Sequence, residues 1–438
     1  MGRISNCLTL LVFFVCASMQ LPAQDSNYVR RCIATLSADD CWGRGGCHDG
    51  ELKAARFIRD QLVQSGAQSL TEDGFQHYEY QSHKMEGNVV MEVDGQRLSP
   101  FWDYRVSPYS ASTWSYNAPV MVMDASLFFD VRKLFKFYDR YAAQIHGSFI
   151  YVDAVSWKDK NVSADDVKKL IRTFELKNDM GARGYLIGVD ELPVWGLSYC
   201  EEQPQHAFVY VKRSIFNAKV KNVSLSFTNE YYTHETQNVC FKVEGTRYPD
   251  SLIVFTAHYD HLGCMGDSVI FHGAHDNASG TSAVMDFARH FASQPSEYTT
   301  VFLLFSGEES GLRGSRYFVE NPLIDLSKVK LVLNLDMFCG GDEGFTVVNS
   351  DGENTKWFYN NLVRINDEQH LVSQVKPRSN AANSDHYFFS QKCPAIFIYT
   401  MGGRYGGYHH FTDTCESCGL ENYNNIFKLI LQALEIGE

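Results

Sequence analysis

Beyond its first two dozen residues, this chain of 438 amino acids lacks any apolar run near the ~20 residues a helix needs to cross a bilayer. It also lacks a run of Lys or Arg. Basic residues number 39 against 52 acidic ones, for a net charge of −13. That balance argues against nucleic acid or an anionic membrane surface as a partner. Internal repeats and low-complexity tracts are absent, which excludes solenoid and fibrous architectures. No second CxxC accompanies Cys415-Glu416-Ser417-Cys418, so a zinc site built from paired CxxC motifs is excluded too.

The remaining composition, 45% hydrophobic, suits one large catalytic domain with an accessory module. Residues 1–23 read as an export signal. Arg3 gives the positive start, Leu8 to Val15 a short apolar run, and Leu21-Pro22-Ala23 a small residue at the cut. The expected location is therefore secreted or periplasmic. Of twelve cysteines, Cys7 and Cys16 leave with the signal. The even number that remains suggests disulfides, whose pairing sequence alone does not fix. One candidate bridge joins Cys264 to Cys339, each a few residues past a strand end; buried free thiols are the other reading.

Periodicity divides the rest. Leu52, Ala55, Ile58, Leu62 and Val63 recur at helical spacing over residues 50–65, with Gly66 as a stop. Residues 84–236 carry short strand-like runs near 88–93, 148–152, 184–188 and 207–211, a helix near 164–180, and a second helical stretch over 125–144. They are expected to form a small β-rich inserted domain. From 237 onward, near-continuous apolar strands at 252–257, 300–305, 329–334 and 394–399 alternate with helices at 279–292, 355–366 and 421–434. The expected fold class is α/β: a three-layer α/β/α sandwich with a mostly parallel mixed sheet. Residues 24–83 would supply its N-terminal part and 237–438 its core.

Polar clusters follow these strands. They are Ala257-His258-Tyr259-Asp260-His261, Gly273 to Gly280 around Asp276, Ser306-Gly307-Glu308-Glu309, Asn334-Leu335-Asp336 and Tyr408-His409-His410. Open α/β sheets place their sites at such strand ends. Imidazole and carboxylate suit zinc in a water-accessible site. Two zincs need a shared carboxylate or water between them, and hydrolysis needs a further carboxylate as acid/base. Taken singly, each cluster has a plainer use: a core histidine, a helix cap, a solvated turn. Their number and order give the chemical reading its weight.

These motifs resemble the two-zinc exopeptidases of clan MH, the group containing bacterial leucyl aminopeptidase, aminopeptidase Y and glutamate carboxypeptidase. The resemblance implies zinc ligation by His258, Asp276, Glu309, Asp336 and His409, with Asp276 bridging. It implies Glu308 as general acid/base, Asp260 as the outer partner of His258, and Tyr408 as an aid in polarising the carbonyl. His410 is the competitor of His409, and His261, His272 and His275 line or shape the site. Ser384-Asp385-His386 also matches a family segment, with no role assigned. More faintly, Gly181 to Ile187 resembles a run of protease-associated domains, which would describe the insertion.

The implied function is a secreted metallo-aminopeptidase acting on peptides with two zinc ions. Arg404 is the one candidate clamp for a C-terminal carboxylate, which argues against a carboxypeptidase. Glutaminyl cyclases, which resemble this family and use one zinc, are the alternative enzyme class. A non-catalytic binding protein of the same fold is the third reading.

Overall fold

The computed structural model describes residues 25–156, 162–198, 202–216, 220–403 and 407–435. The signal-peptide reading, Cys7, Cys16 and Arg404 lie outside the described residues. Among those described, no helix is long and apolar enough to cross a membrane.

A nine-stranded mixed sheet forms the frame: eight strands in the order Gln68–Ser69, Glu230–Val243, Tyr298–Phe305, Tyr248–His258, Val329–Leu335, Ala395–Thr400, Phe345–Val348, Val375–Arg378, with the ninth, Phe75–Lys84, paired to Glu230–Val243 off this path. Its four central strands, Tyr298–Phe305 to Ala395–Thr400, pair in parallel. The neighbours flanking them pair antiparallel. Central strands covered on both faces must be apolar on both faces, which is why they read as unbroken runs. Val254, Phe255 and Ala257 are fully buried, as are Leu303, Leu304 and Phe305.

One face is covered by Ser26–Leu36, Gly50–Ser65, Ser279–Ser293, Lys356–Gln369 and Tyr423–Glu435. The other face carries a smaller core around Phe305, Phe318 and Phe389 beneath Arg313–Glu320 and His386–Ser390. This is the three-layer α/β sandwich expected from the sequence. The helix Gly50–Ser65 ends as expected on Gly66, whose φ of 94° lets its N–H reach the carbonyls of Leu62 and Val63. The helix Ser26–Leu36 was not foreseen.

Strands Phe75–Lys84 and Glu230–Val243 pair antiparallel from Phe75↔Val239 to Lys84↔Glu230. This ribbon carries the chain out to an eight-stranded sheet and back. That second sheet is ordered Gln96–Arg97, Val90–Val93, Asn222–Phe227, Thr113–Val122, Phe149–Asp153, Gly184–Val189, Ala207–Lys212, Tyr104–Val106. Helices Val131–Gly147 and Ala164–Leu176 pack on one of its faces. Its other face shares a core with Leu262, Met265, Val269 and Phe271 of the main domain. The accessory sheet thus reaches the loop that follows His258.

The Cys264–Cys339 bridge is not formed. Cys339 is disulfide-bonded to Cys418, at a Cα separation of 5.5 Å. The two loops diverge although their strands are neighbours. Cys264 turns toward the accessory ribbon, where its thiol meets the Met85 carbonyl at 3.4 Å. Cys339 instead lies beside the C-terminal segment, with Gly340 N–H donating to Gly419 O at 2.8 Å.

Candidate metal centre

Adjacent strand ends deliver the polar clusters to one place. His258 closes its strand in register with Phe305 of the neighbouring strand, and Glu308 and Glu309 follow three and four residues later. On the other side Thr256 pairs with Asn334, two residues before Asp336. Asp276 enters on the segment Ala274–Ala278 that opens helix Ser279–Ser293.

Asp276 stands between two imidazoles. Its Oδ1 is 3.4 Å from His258 Nε2 and its Oδ2 is 3.3 Å from His409 Nε2. His258 Nε2 also faces Asp336 Oδ1 at 3.3 Å, and His409 Nε2 faces Glu309 Oε2 at 3.1 Å. Donor atoms of His258, Glu308 and Asp336 lie within 4.8 Å of one another, as do those of His261, Asp276 and Glu309. The structure therefore brings together all five residues implied as ligands, and Glu308 with them. His410 stands apart, its Nδ1 bonded to Thr412 Oγ1 at 2.6 Å.

Do these residues fit metal? His409 Nε2 and Asp336 Oδ1 are buried without a hydrogen-bond partner among the described residues. Such orphaned donors and acceptors are costly unless something else meets them. The carboxylates also outnumber the imidazoles. Burial opposes ionisation of Asp276, yet the imidazoles of His258 and His409 facing it hold it well below the usual carboxylate range. Burial pushes the Glu308 carboxyl well above its usual range, His258 opposes this, and Glu309, Asp336 and Asp385 add to it. Buried acids crowded in this way are balanced by bound cations. Nitrogen and oxygen donors without cysteine suit zinc in an open catalytic site.

An outer layer fixes these donors. His258 Nδ1 faces the main-chain oxygen of Asp260 at 3.2 Å and the Asp260 carboxylate at 3.6 Å. That carboxylate instead accepts the backbone N–H groups of Glu308 and Glu309, at 3.1 and 3.2 Å. Asp260 thus sets the aim of the Glu pair as well as that of the imidazole. Ser384 donates to Asp336 Oδ2 and in turn accepts from Asn334, both at 2.7 Å. Asp413 accepts the backbone N–H of Asp276 at 3.1 Å and that of His275 at 3.0 Å. Tyr408 is 48% exposed and stacks its ring on His409, centroids 3.7 Å apart.

Sequence reasoning missed Arg44, and it read His261 as lining or shaping the site. His261 Nδ1 lies 2.7 Å from Glu309 Oε1. Arg44, fully buried, donates to the carbonyls of Leu36, Tyr259, His272, Gly273 and Asp276. It ties the N-terminal segment to the loops bearing His258 and Asp276. Gly273 makes room for it: φ is 59°, and a Cβ there would sit 2.6 Å from Arg44 Nη2. Only the glycines around Gly273 and Arg44 hint at this packing in the sequence.

Comparison with known proteins bears on the family and the fold. Residues 238–434 match Peptidase family M28, and over that segment the family resemblance is borne out. The chain is 34% identical over 134 residues to aminopeptidase YwaD of Bacillus subtilis, covering 30% of this chain and 28% of that protein. It is 27% identical over 248 residues to leucine aminopeptidase 2 of Trichophyton rubrum, covering 55% of this chain and 47% of that protein. The match thus spans less than half of either relative. A zinc aminopeptidase structure from Bacillus subtilis superposes with a TM-score of 0.65 at 19% identity, covering 93% of this chain and 94% of that one. A Peptidase M28 precursor from Shewanella amazonensis gives 0.64 at 18%, covering 94% and 92%. At these identities the two structures bear on the fold, and they share it over nearly the whole chain.

Proposed function

We propose that this chain, which carries a Peptidase family M28 segment over residues 238–434, is an exported zinc aminopeptidase that removes N-terminal residues from peptides. Two zinc ions would be held by His258, Asp276 and Asp336 on one side and by Asp276, Glu309 and His409 on the other. The observation that carries the reading is Asp276. Each of its carboxylate oxygens faces a different imidazole, and each imidazole has a further carboxylate of its own. When bound, zinc supplies Lewis acidity that polarises the scissile carbonyl and acidifies water.

The protein's own residues do the rest. Glu308 has its backbone fixed by Asp260 and its carboxylate beside His258 and Asp336. From there it takes a proton from the attacking water and returns it to the departing amine. Tyr408, half-exposed and stacked on His409, would donate to the substrate carbonyl oxygen. The aminopeptidase reading is supported by the aminopeptidases the chain resembles; Arg404, the one candidate clamp for a C-terminal carboxylate, lies outside the described residues. Export rests on the sequence of residues 1–23, and the accessory sheet is read as an inserted domain of protease-associated type.

The test offers two peptides, one beginning with leucine and one with glutamine, and reads products by mass. Stepwise loss of the N-terminal residue from unblocked peptides, abolished by chelation and restored by zinc, is the expected result. Loss of ammonia from the glutamine peptide with the leucine peptide untouched would establish the cyclase instead. Binding without turnover would establish the non-catalytic reading.

A further inference from the structure

We propose that the accessory sheet positions one of the two metal-site histidines, through the main-chain carbonyl of Trp195. This rests on the reading of His409 as a ligand. His409 Nδ1 lies 3.1 Å from the Trp195 carbonyl oxygen. The N–H of Trp195 returns a bond to the His409 carbonyl at 3.4 Å. A carbonyl oxygen only accepts, so Nδ1 carries the proton. Nε2 then presents its lone pair toward Asp276 and Glu309, as ligation requires.

Trp195 is held in turn by both domains. Its ring is 1% exposed and stacks on Phe271, centroids 5.4 Å apart and planes 13° apart. Phe271 belongs to the main domain, its N–H bonded to the Gly263 carbonyl at 3.0 Å. Arg105 lies on strand Tyr104–Val106 of the accessory sheet, which pairs with Ala207–Lys212. It donates to the carbonyl of Val194, and its guanidinium lies 5.8 Å from the Trp195 ring. A physical line therefore runs from the accessory sheet through Arg105 and residues 194–195 to the imidazole of His409. His258, by contrast, takes its outer partner from its own loop. The two sites should respond differently when the accessory sheet is disturbed.

The experiment measures zinc per chain at graded chelator concentration for the full-length protein and its variants, with circular dichroism reporting the fold. Trp195→Ala should release one zinc at about 10–100-fold lower chelator, the cost typical of losing an outer partner. The second zinc should leave at its original concentration. Trp195→Phe keeps a ring on Phe271 and should restore the wild-type profile. Arg105→Gln frees residue 194 while leaving the ring on Phe271, and serves if Trp195→Ala does not fold; it should weaken the same zinc. Wild-type release of both zincs from a folded Trp195→Ala or Arg105→Gln variant overturns the proposal. His409→Ala separates this from the underlying reading. If that variant holds two zincs as tightly as wild type, His409 is not a ligand and the functional reading itself falls.

Discussion

The hydroxyl of Ser384 donates to Oδ2 of Asp336 at 2.7 Å, leaving Oδ1 to face His258. One oxygen is thereby occupied by protein, and the other points into the centre. Because Asn334 fixes the same hydroxyl, the carboxylate has little freedom to rotate. Ser384→Ala should weaken zinc on the His258 side by about tenfold or more and leave the His409 side unchanged. Zinc titration of the variant checks this, and an unchanged pair of affinities would remove Ser384 from the site.

Arg44 predicts a stability effect rather than a chemical one. Its replacement by Met keeps the stem but removes bonds to five carbonyls; that of Gly273 still accepts from Ala278 N–H, while the buried carbonyls of Tyr259 and Asp276 are stranded. Stranded buried acceptors cost ~1–3 kcal/mol each when nothing replaces the bond. Arg44→Met should lose at least about 3 kcal/mol in urea unfolding and lose zinc affinity with it. A loss below about 1 kcal/mol would show that water takes over those carbonyls.

Asp286 predicts a pH dependence of stability away from the metal. Burial pushes its carboxyl up to about 6, while Tyr423 and Arg289 oppose the shift. An unfolded aspartate ionises near 3.9, so folding binds a proton between these values. The stability this group contributes is full below about pH 4 and is lost as pH rises through about 6. Asp286→Asn should remove that slope, gaining on the order of 2 kcal/mol at pH 7 relative to its effect at pH 4. Parallel unfolding curves for variant and wild type at both pH values would contradict it.

Which parts of this molecule were legible in its sequence follows from how each part is held. The strands around 252–257 and 300–305 were readable because burial on both faces demands unbroken apolar runs. The site was readable because His258, Glu308-Glu309 and Asp336 interrupt those runs with polar groups at the strand ends. The roles of Arg44 and Trp195 were not readable, since their partners are main-chain carbonyls and any residue has one. The cysteine pairing failed for a related reason. Neighbouring strands suggested Cys264 and Cys339, but a disulfide follows the path of loops, and the C-terminal loop brings Cys418 to Cys339 instead.

The measurement that bears most directly on the two-zinc account is zinc content, with turnover, in Glu308→Gln and Glu309→Gln. Both carboxylates lie among the metal-site donors, but only Glu309 faces the imidazole of His409. If Glu308 moves the proton and Glu309 holds metal, Glu308→Gln keeps two zincs per chain while turnover falls ~10²–10⁴-fold. Glu309→Gln should then lose zinc and activity together. Two zincs retained in Glu309→Gln, with zinc lost from Glu308→Gln, would contradict the account.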